Sequence, residues 1–323
     1  MCFNMEVTTF APVLIPTLNR YEHFKRCVES LAKCTHADKT ELVIGLDYPP
    51  AEKYVEGWKR ICDYIPQVGG FRKVTILDCK ENLGATENFK RLHEYAASNY
   101  DRYILTEDDN EFSPCFLDFM NKGLEVYKDD SRIFTISGYL EPKFICIVNE
   151  GVVFMPTGNA WGLGVWTQKE YEMKKRIATI LEDTLFSFRK SLKVFRCMPA
   201  RLQGAIICYN NNYNYGDVKR GLVCNVYDMF QARPAKSLVR NWGQDGTGLH
   251  SGINPAITKE EISDDYLYEL YNTPVVLRND VAQLLKSMKL PSDTIRRQLK
   301  VFKILLEYIL FRVNNLINCS NAK

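Results

Sequence analysis

Apolar and polar positions in the first 140 residues follow two different periods. Short apolar runs of strand length occupy residues 10–15, 41–46, 74–77, 103–106 and 133–137. After the first run, apolar residues recur at intervals of three and four from Tyr21 to Leu31, as on one face of a helix. A similar stripe from Phe89 to Tyr95 follows the third run. Strands separated by helices predict an α/β fold with a mostly parallel central sheet flanked by helices.

Polar side chains follow four of these runs. They are Thr17, Asp47, Asn82 and the triplet Glu107-Asp108-Asp109. Because open α/β sheets bind ligands at the carboxyl ends of their strands, we expect these groups to meet at one edge. No Gly-x-Gly-x-x-Gly follows the first run and no Gly-Lys-Ser/Thr loop is present, which disfavours a classical dinucleotide site and a P-loop.

Composition narrows the class of protein. The 323 residues are 46% hydrophobic and 25% charged, which excludes a disordered or low-complexity chain. The net charge of +3 does not favour a nucleic-acid partner. The 11 cysteines are scattered, so we interpret them as reduced thiols. With no basic, apolar leader at the start and no long apolar span, these features predict a cytoplasmic protein.

Three consecutive carboxylates at a strand end repel one another unless a cation balances them. Oxygen ligands suit Mg²⁺ or Mn²⁺, and such an ion can also hold substrate phosphates. The alternative is a solvated turn or a helix N-terminus, since Asp109-Asn110-Glu111 precedes a helical pattern and acidic residues are favoured there. The triplet alone leaves both interpretations open.

The remaining chain contains three loop-like segments and a distinct tail. Residues 155–166 are rich in Gly and Trp, residues 210–216 in Asn and Tyr, and residues 241–252 in Gly. In the tail, apolar residues recur from Ile295 to Leu316 at alternating intervals of four and three, with five basic residues among them. This pattern predicts a basic amphipathic helix over about 292–317, capped by Ser292 or Asp293. It fits an interfacial membrane helix and equally a helix packed on the protein or paired in a dimer.

The order of these motifs resembles the nucleotide-sugar glycosyltransferases of the GT-A fold. The pattern is closest to the family-two enzymes of bacterial polysaccharide assembly and to the first N-acetylglucosaminyltransferase of N-glycan branching. The matching segments lie between Val13 and about Gly252. They are residues 13–20, Asp47, residues 82–88, residues 106–109 with 112–114, residues 161–164, and residues 241–243 through His250.

The resemblance implies roles for individual residues. Thr17 and Arg20 would contact the nucleoside and diphosphate, and Asp47 the uracil edge. Asp109 would bind Mn²⁺ or Mg²⁺ directly, with Asp108 near the ribose or a metal-bound water. His250 stands where related enzymes have a histidine near the diphosphate, sometimes a metal ligand.

The same resemblance implies a wall around the donor sugar and a catalytic base. Residues 161–164, with Trp161 and Gly162 foremost, would line the donor sugar and acceptor. The other expected donor contacts are Asn82, Gly84 and Glu107. Asp217 falls at the place of the base that takes the proton of the acceptor hydroxyl. Asp228 and Asp245 are its competitors, because the tryptophan that usually precedes the base is missing here.

Together these features predict a catalytic domain over 1–255 and a helical extension over 256–323. The expected activity is a metal-dependent, inverting transfer of a hexosyl or N-acetylhexosaminyl group from a UDP-sugar. The acceptor would be a glycan or lipid-linked saccharide of surface polysaccharide synthesis, reached from the inner face of the cell membrane. The alternatives are a nucleotidyltransferase and a catalytically inactive glycan-binding protein of the same fold.

Overall fold

The computed structural model describes residues 9–145, 151–247, 253, 261–264, 270 and 273–321, with side chains to residue 317. Its strands are β1 Val13–Thr17, β2 Glu41–Leu46, β3 Lys73–Leu77, β4 Arg102–Leu105, β5 Asn110–Phe112, β6 Ile133–Ser137, β7 Val152–Met155, β8 Leu163–Trp166, β9 Phe230–Pro234 and β10 Val239–Asn241. The first helices are α1 Tyr21–Ala32, α2 Val55–Tyr64, α3 Gly84–Asn99, α4 Phe116–Val126 and α5 Pro142–Ile145. The later helices are α6 Thr167–Leu185, α7 Phe188–Cys197, α8 Pro199–Asn210, α9 Gly216–Tyr227, α10 Asn279–Ser287 and α11 Thr294–Asn321.

The central sheet has eight strands in the order β3-β2-β1-β4-β8-β6-β9-β7. Strands β3, β2, β1 and β4 are parallel, and β8 runs antiparallel to both β4 and β6. All six residues of β2 are buried, as the apolar run over residues 42–46 predicts for an inner strand of a parallel sheet, and Glu41 at its start is buried with them. The predicted fold class, a mostly parallel α/β sheet flanked by helices with a C-terminal helix, is confirmed.

Helices pack on this sheet through the predicted apolar stripes. Leu92 of α3 is buried with Leu14 of β1 and Val43 of β2 in one core cluster. A Cβ on Gly45 would stand 2.7 Å from Leu92 Cδ1, so the glycine permits the close approach of α3 to β2. This packing fixes the strand ends from which the polar side chains emerge.

The structure corrects the loop prediction for residues 155–166. Leu163–Trp166 is a strand, paired with β4 on one side and β6 on the other. Gly164 lies within it because a Cβ there would stand 3.0 Å from Met120 Cε. The glycine therefore permits close packing inside the sheet rather than a turn, and only residues 156–162 form a loop.

The chain divides into two compact units. The first contains residues 1–153, 159–169 and 232–274, and the second contains residues 154–158, 170–231 and 275–323. In the second unit, Asp293 Oδ1 accepts from the backbone N–H of Arg296, so the predicted cap begins α11. The functional division into a catalytic domain over 1–255 and an extension over 256–323 stays a prediction.

Membrane-spanning helices and the state of the cysteines can be examined in the described part of the chain. Within the described residues, no helix combines the length and the apolar character needed to cross a membrane. The eight cysteines that the structure describes are free thiols, among them the buried Cys27 and Cys34.

Candidate active site

Polar groups from the ends of three parallel strands meet at one edge of the sheet in the first unit. Thr17 Oγ1 donates to Asp108 Oδ2 over 2.9 Å, which joins the end of β1 to the segment after β4. The backbone N–H of Asp47, after β2, donates to the carbonyl of Thr17 over 3.0 Å. The structure thus brings Thr17, Asp47 and the acidic triplet together, as the order of strands and polar residues predicts.

The two aspartates of the triplet are buried. Asp108 is 6% exposed and Asp109 is 7% exposed. Residues 110–112 form β5 rather than the first turn of a helix, and α4 begins only at Phe116. Neither a solvated turn nor a helix N-terminus therefore explains these acidic side chains.

Arg20 supplies the cation that balances them. Its Nη1 donates to Asp109 Oδ2 over 2.8 Å, and its Nη2 donates to Asp108 Oδ1. Burial alone would lower the pKa of Arg20, but the two carboxylates outweigh burial and raise that pKa. One guanidinium is thus shared by two buried carboxylates, and burial, which outweighs the charge of Arg20, raises the pKa of Asp108.

Glu107 is a third acidic side chain beside these two. Burial is the largest cause that raises its pKa to about 7, followed by repulsion from Asp109 and Asp108. The charge of Arg20 acts in the opposite sense and lowers this pKa, and the neighbouring side chain of Trp161 does so to a smaller extent. The predicted wall residue Trp161 therefore lies against the triplet.

The pKa of Glu107 gives a testable dependence of stability on pH. Because the native state keeps a proton that the unfolded chain releases near pH 4.5, stability falls as the pH rises from about 4.5 to about 7. Each unit of pKa corresponds to about 1.4 kcal/mol. We therefore expect the free energy of unfolding of the wild type to fall by about 2–3 kcal/mol between pH 5 and pH 8 because of Glu107, and we expect this fall to be absent in Glu107→Gln. Urea unfolding of the metal-free proteins at pH 5 and pH 8 measures this difference. Parallel pH profiles for the wild type and the variant would contradict it.

A distant strand positions Asp109. Strand β10 pairs antiparallel with β5, opposite the residues that follow Asp109. Asn241 Nδ2 donates to Asp109 Oδ1 over 2.7 Å, and the N–H of Trp242 donates to the carbonyl of Asp109 over 2.8 Å. A Cβ on Gly243 would collide with Asp109 Oδ2, so only glycine leaves that carboxylate in place.

Asp47 has a different environment. Its Oδ1 accepts from the N–H groups of Tyr48 and Leu83, each over 2.8 Å. Its Oδ2 accepts from the N–H of Gly84 over 2.9 Å and from Asn82 Nδ2 over 3.2 Å. These four donors use the acceptor capacity of one carboxylate, so Asp47 fixes the loop at residues 82–84 and the start of α3. The predicted residues Asp47, Asn82 and Gly84 therefore form one bonded group.

Gly162, the other predicted wall residue, adopts φ +63°. A Cβ there would stand 2.7 Å from the ring of Phe116. Its carbonyl accepts from the N–H of Gly138 over 2.9 Å, which ties the loop to the end of β6. Trp161 packs edge-on against Tyr139, with ring centroids 4.5 Å apart. Glycine is thus required where the chain turns beneath Trp161.

The three base candidates lie in different surroundings. Asp217 is exposed in the first turn of α9, and Asp228 follows that helix in a left-handed conformation and pairs with Lys193 over 2.6 Å. Both belong to the second unit. Asp245, in the first unit, accepts from Thr247 and contacts His23 Nε2 over 3.0 Å. Burial would raise the pKa of Asp245, but these hydrogen bonds prevail and lower it to about 2.

The acidic group meets part of the requirement for a divalent cation. Asp108 and Asp109 offer buried carboxylate oxygens, and the guanidinium of Arg20 shows that a cation is stable there. Among the described residues, no group of three or more His, Cys, Asp or Glu side chains could enclose a metal ion. Mg²⁺ sites of one or two carboxylates completed by substrate phosphates fit this donor set. The predicted ligand His250 lies outside the described residues.

Sequence reasoning missed the anchoring of Asp109 by β10. Residues 241–243 are among the segments that carry the family resemblance, but the sequence predicted no role for Asn241, Trp242 or Gly243. The available signal was the Asn-x-Gly sequence at residues 241–243, which follows Leu238, Val239 and Arg240.

Comparisons with known proteins give only distant structural likenesses. No family model matches the chain, and no curated protein matches it. The mannosyltransferase PcManGT from Pyrobaculum calidifontis, in complex with GDP-Man and Mn²⁺, is similar with 13% identity and a TM-score of 0.40, over 69% of this chain and 71% of that chain. S. aureus TarS 1–349 is similar with 11% identity and a TM-score of 0.41, over 73% of this chain and 62% of that chain. TarS 1–349 in complex with UDP has 13% identity and a TM-score of 0.36, over 51% of this chain and 49% of that chain. Likenesses of this size leave the function to be argued from the site itself.

Proposed function

We propose that the chain is a metal-dependent glycosyltransferase that uses a nucleotide-diphosphate sugar, most naturally a UDP-sugar. The observation that carries this proposal is the buried pair Asp108 and Asp109 beside Thr17 and Arg20, at the carboxyl edge of a parallel sheet. Ligands bind at this edge in open α/β sheets. Two buried carboxylates that share one guanidinium suit a substrate that arrives with a divalent cation.

Within this function each residue has a definite task. Asp109, with Asp108 beside it, holds Mn²⁺ or Mg²⁺, which when bound offsets the charge that develops on the departing diphosphate. Arg20, which donates to both aspartates in the absence of substrate, would release one of them and meet a phosphate oxygen instead. The loop at residues 82–84, fixed by Asp47, presents Asn82 and Gly84 to the nucleoside. Trp161 and Gly162 border the donor sugar and keep water from it.

An inverting transfer also needs a base for the acceptor hydroxyl. A carboxylate with a pKa near 2, like that of Asp245, is a weak base at neutral pH. Asp228 is paired with Lys193 and caps the end of α9. Asp217 therefore remains the base of this proposal, and the acceptor is a glycan or lipid-linked saccharide. The inverting outcome, the transfer of a hexosyl or N-acetylhexosaminyl group and a cytoplasmic site of action belong to the same proposal.

A thermal-shift series tests the donor assignment directly. A ligand at 100 times its Kd stabilises the native state by about 2.7 kcal/mol. We expect UDP or UDP-sugars to raise the Tm by several degrees with Mn²⁺ present and far less in EDTA. GDP and GDP-sugars are the matched comparison for the base of the nucleotide. If no nucleotide raises the Tm with or without Mn²⁺, the donor assignment fails.

Hydrolysis of the donor separates an enzyme from a binding protein of the same fold. We expect slow, Mn²⁺-dependent release of the nucleoside diphosphate from a UDP-sugar when no acceptor is added. A nucleotidyltransferase would instead exchange pyrophosphate with a nucleoside triphosphate. Donor binding without any release of nucleotide would favour a glycan-binding protein.

A further inference from the structure

Helix α11 of the second unit has two apolar faces. One is the packed face, where Ile304, Tyr308 and Phe311 are at most 5% exposed. Phe311 packs on Tyr209 of α8, with ring centroids 5.3 Å apart. The other is an exposed face of nine large apolar residues, each between 46% and 69% exposed. They are Ile295, Leu299, Phe302, Leu306, Ile309, Leu310, Val313, Leu316 and Ile317.

Helix geometry places the second face opposite the first. Ile295 and Val313 are each nine residues from Ile304, and at about 100° per residue that separation is half a turn. The face extends over about 33 Å, because 22 residues separate its ends at about 1.5 Å each. A continuous apolar strip of this size on a solvent-exposed surface marks an interaction site.

The charges beside the exposed face indicate what covers it. Helix α11 carries five basic residues and one acidic residue. Arg296 and Lys303 follow one edge of the strip, whereas Arg312 lies beyond the other edge and donates to the carbonyl of Leu185 on the packed side. The acidic residue, Glu307, accepts from Gln203 Nε2 over 2.8 Å on the packed side, and its Oε1 lies 3.9 Å from Lys303 Nζ. Cations along an apolar strip complement a surface of anionic headgroups above acyl chains.

The same charges argue against pairing with a second copy. The apolar spacing of four and three also fits a coiled-coil seam, whose flanking positions in both helices would lie side by side. In α11 those flanking positions include Arg296, Lys303 and Arg312 and no acidic residue. In a dimer, therefore, no acidic residue at a flanking position of the second helix would face these cations.

An open cavity of about 590 Å³ lies beside the first turns of α11. Arg196 of α7, Lys286 of α10 and Arg297 of α11 line it, with the apolar residues Phe195, Leu290 and Val301. None of its lining residues is acidic. Three cations above apolar walls suit the phosphate of a lipid headgroup, which is the same chemistry as along the strip.

We propose that α11 docks the protein on an anionic lipid bilayer. The strip from Ile295 to Ile317 enters the boundary between headgroups and acyl chains, while Arg296 and Lys303 meet the headgroup phosphates. Arg196 and Lys286 hold a further anionic headgroup in the cavity. This docking does not depend on the donor assignment, because it involves none of the residues of the candidate active site.

Vesicle flotation of the full chain tests the proposal, with phosphatidylcholine vesicles that contain or lack phosphatidylglycerol. We expect binding to the anionic vesicles and little to the neutral ones. The double variant Leu299→Gln/Phe302→Gln should weaken binding at least about tenfold, because two apolar side chains no longer enter the bilayer. Tyr171→Gln is the matched control, since Tyr171 is 55% exposed on a different helix. It should bind like the wild type.

Two charge variants test the electrostatic part. Arg296→Gln/Lys303→Gln should weaken binding to anionic vesicles about tenfold or more and reduce its salt dependence, while the cations of the cavity keep the rest. Arg196→Gln/Lys286→Gln should weaken it in the same direction. The Tm of each variant should match that of the wild type, because all of the altered residues on α7, α10 and α11 are exposed.

Three results would overturn the proposal. The first is a wild type that does not float with anionic vesicles. The second is equal flotation of the wild type and Leu299→Gln/Phe302→Gln. The third is a wild-type dimer that does not float and that this double variant converts to monomers in analytical ultracentrifugation, because a second copy would then cover the strip. Nucleotide binding can be measured on the same samples, so failure of docking is distinguishable from failure of the donor assignment.

Discussion

Replacing Asp109 with asparagine should reduce donor turnover by about 100-fold or more while the fold remains intact. A metal ion contributes several kcal/mol to the stabilisation of charge on phosphate oxygens, and each 1.36 kcal/mol is a factor of ten in rate. Asparagine keeps the shape of the side chain and an oxygen that can accept from Asn241 Nδ2. It removes the negative charge that would hold Mn²⁺ or Mg²⁺ and that now faces Arg20. The rate of UDP release at saturating UDP-sugar and Mn²⁺ measures the effect.

Asp129→Asn is the matched control for this experiment. Asp129 is exposed in the turn after α4, so the same chemical change there should leave turnover and Mn²⁺ affinity unaltered. Binding of Mn²⁺ alone, followed by isothermal titration, should weaken in Asp109→Asn and not in Asp129→Asn. Turnover by Asp109→Asn within threefold of the wild type would contradict the proposed role of Asp109 as a metal ligand.

The sequence was informative where a single periodicity decides the structure. The strand predicted at residues 41–46 has those bounds in the structure, because the short apolar run after Glu41 is typical of a buried parallel strand. The position of the acidic triplet followed from the same pattern. Strands of one parallel sheet end at one edge, so residues after β1, β2 and β4 must be neighbours there.

Glycine was harder to interpret than the apolar runs. Gly164 and Gly162 lie two residues apart, but the structure requires glycine at these two positions for different reasons. Gly164 allows Met120 to pack on a strand, whereas Gly162 has a positive φ in a loop against Phe116. Both reasons depend on side chains more than 40 residues away in sequence. Local composition therefore predicted one loop over 155–166 where the structure has a loop and then a strand.

The partners of the site residues could not be predicted either. Asn241 is 132 residues from Asp109, and the hydrogen bond between them depends on the pairing of β10 with β5. A three-residue strand is too short for its hydrophobic periodicity to be recognised. The register between two distant strands depends on both of them and cannot be predicted from the sequence of one. Likewise, nothing local to Asp47 indicates that backbone N–H groups of Leu83 and Gly84 would occupy its carboxylate.

Removing Arg20 should have opposite effects on the metal-free protein and on its affinity for metal. In the metal-free protein, Arg20→Gln leaves the buried carboxylates of Asp108 and Asp109 without their cation. Breaking a buried ion pair in this way costs about 3–5 kcal/mol. We expect the Tm in EDTA to fall by about 5 °C or more. Arg60→Gln is the matched control, because Arg60 pairs with Glu22 on the surface, where such a pair contributes about 0–1 kcal/mol.

The same variant should bind Mn²⁺ more tightly than the wild type. In the wild type the guanidinium occupies one oxygen of each aspartate, so an entering ion must displace it or share them against its charge. Without it, we expect Mn²⁺ affinity to rise about tenfold, which corresponds to about 1.4 kcal/mol, and Mn²⁺ to restore most of the lost Tm. Turnover should nevertheless fall, because Arg20 also meets the diphosphate in the proposed complex. Isothermal titration with Mn²⁺ decides the matter: unchanged or weaker affinity in Arg20→Gln would show that the guanidinium and the metal do not share these carboxylates.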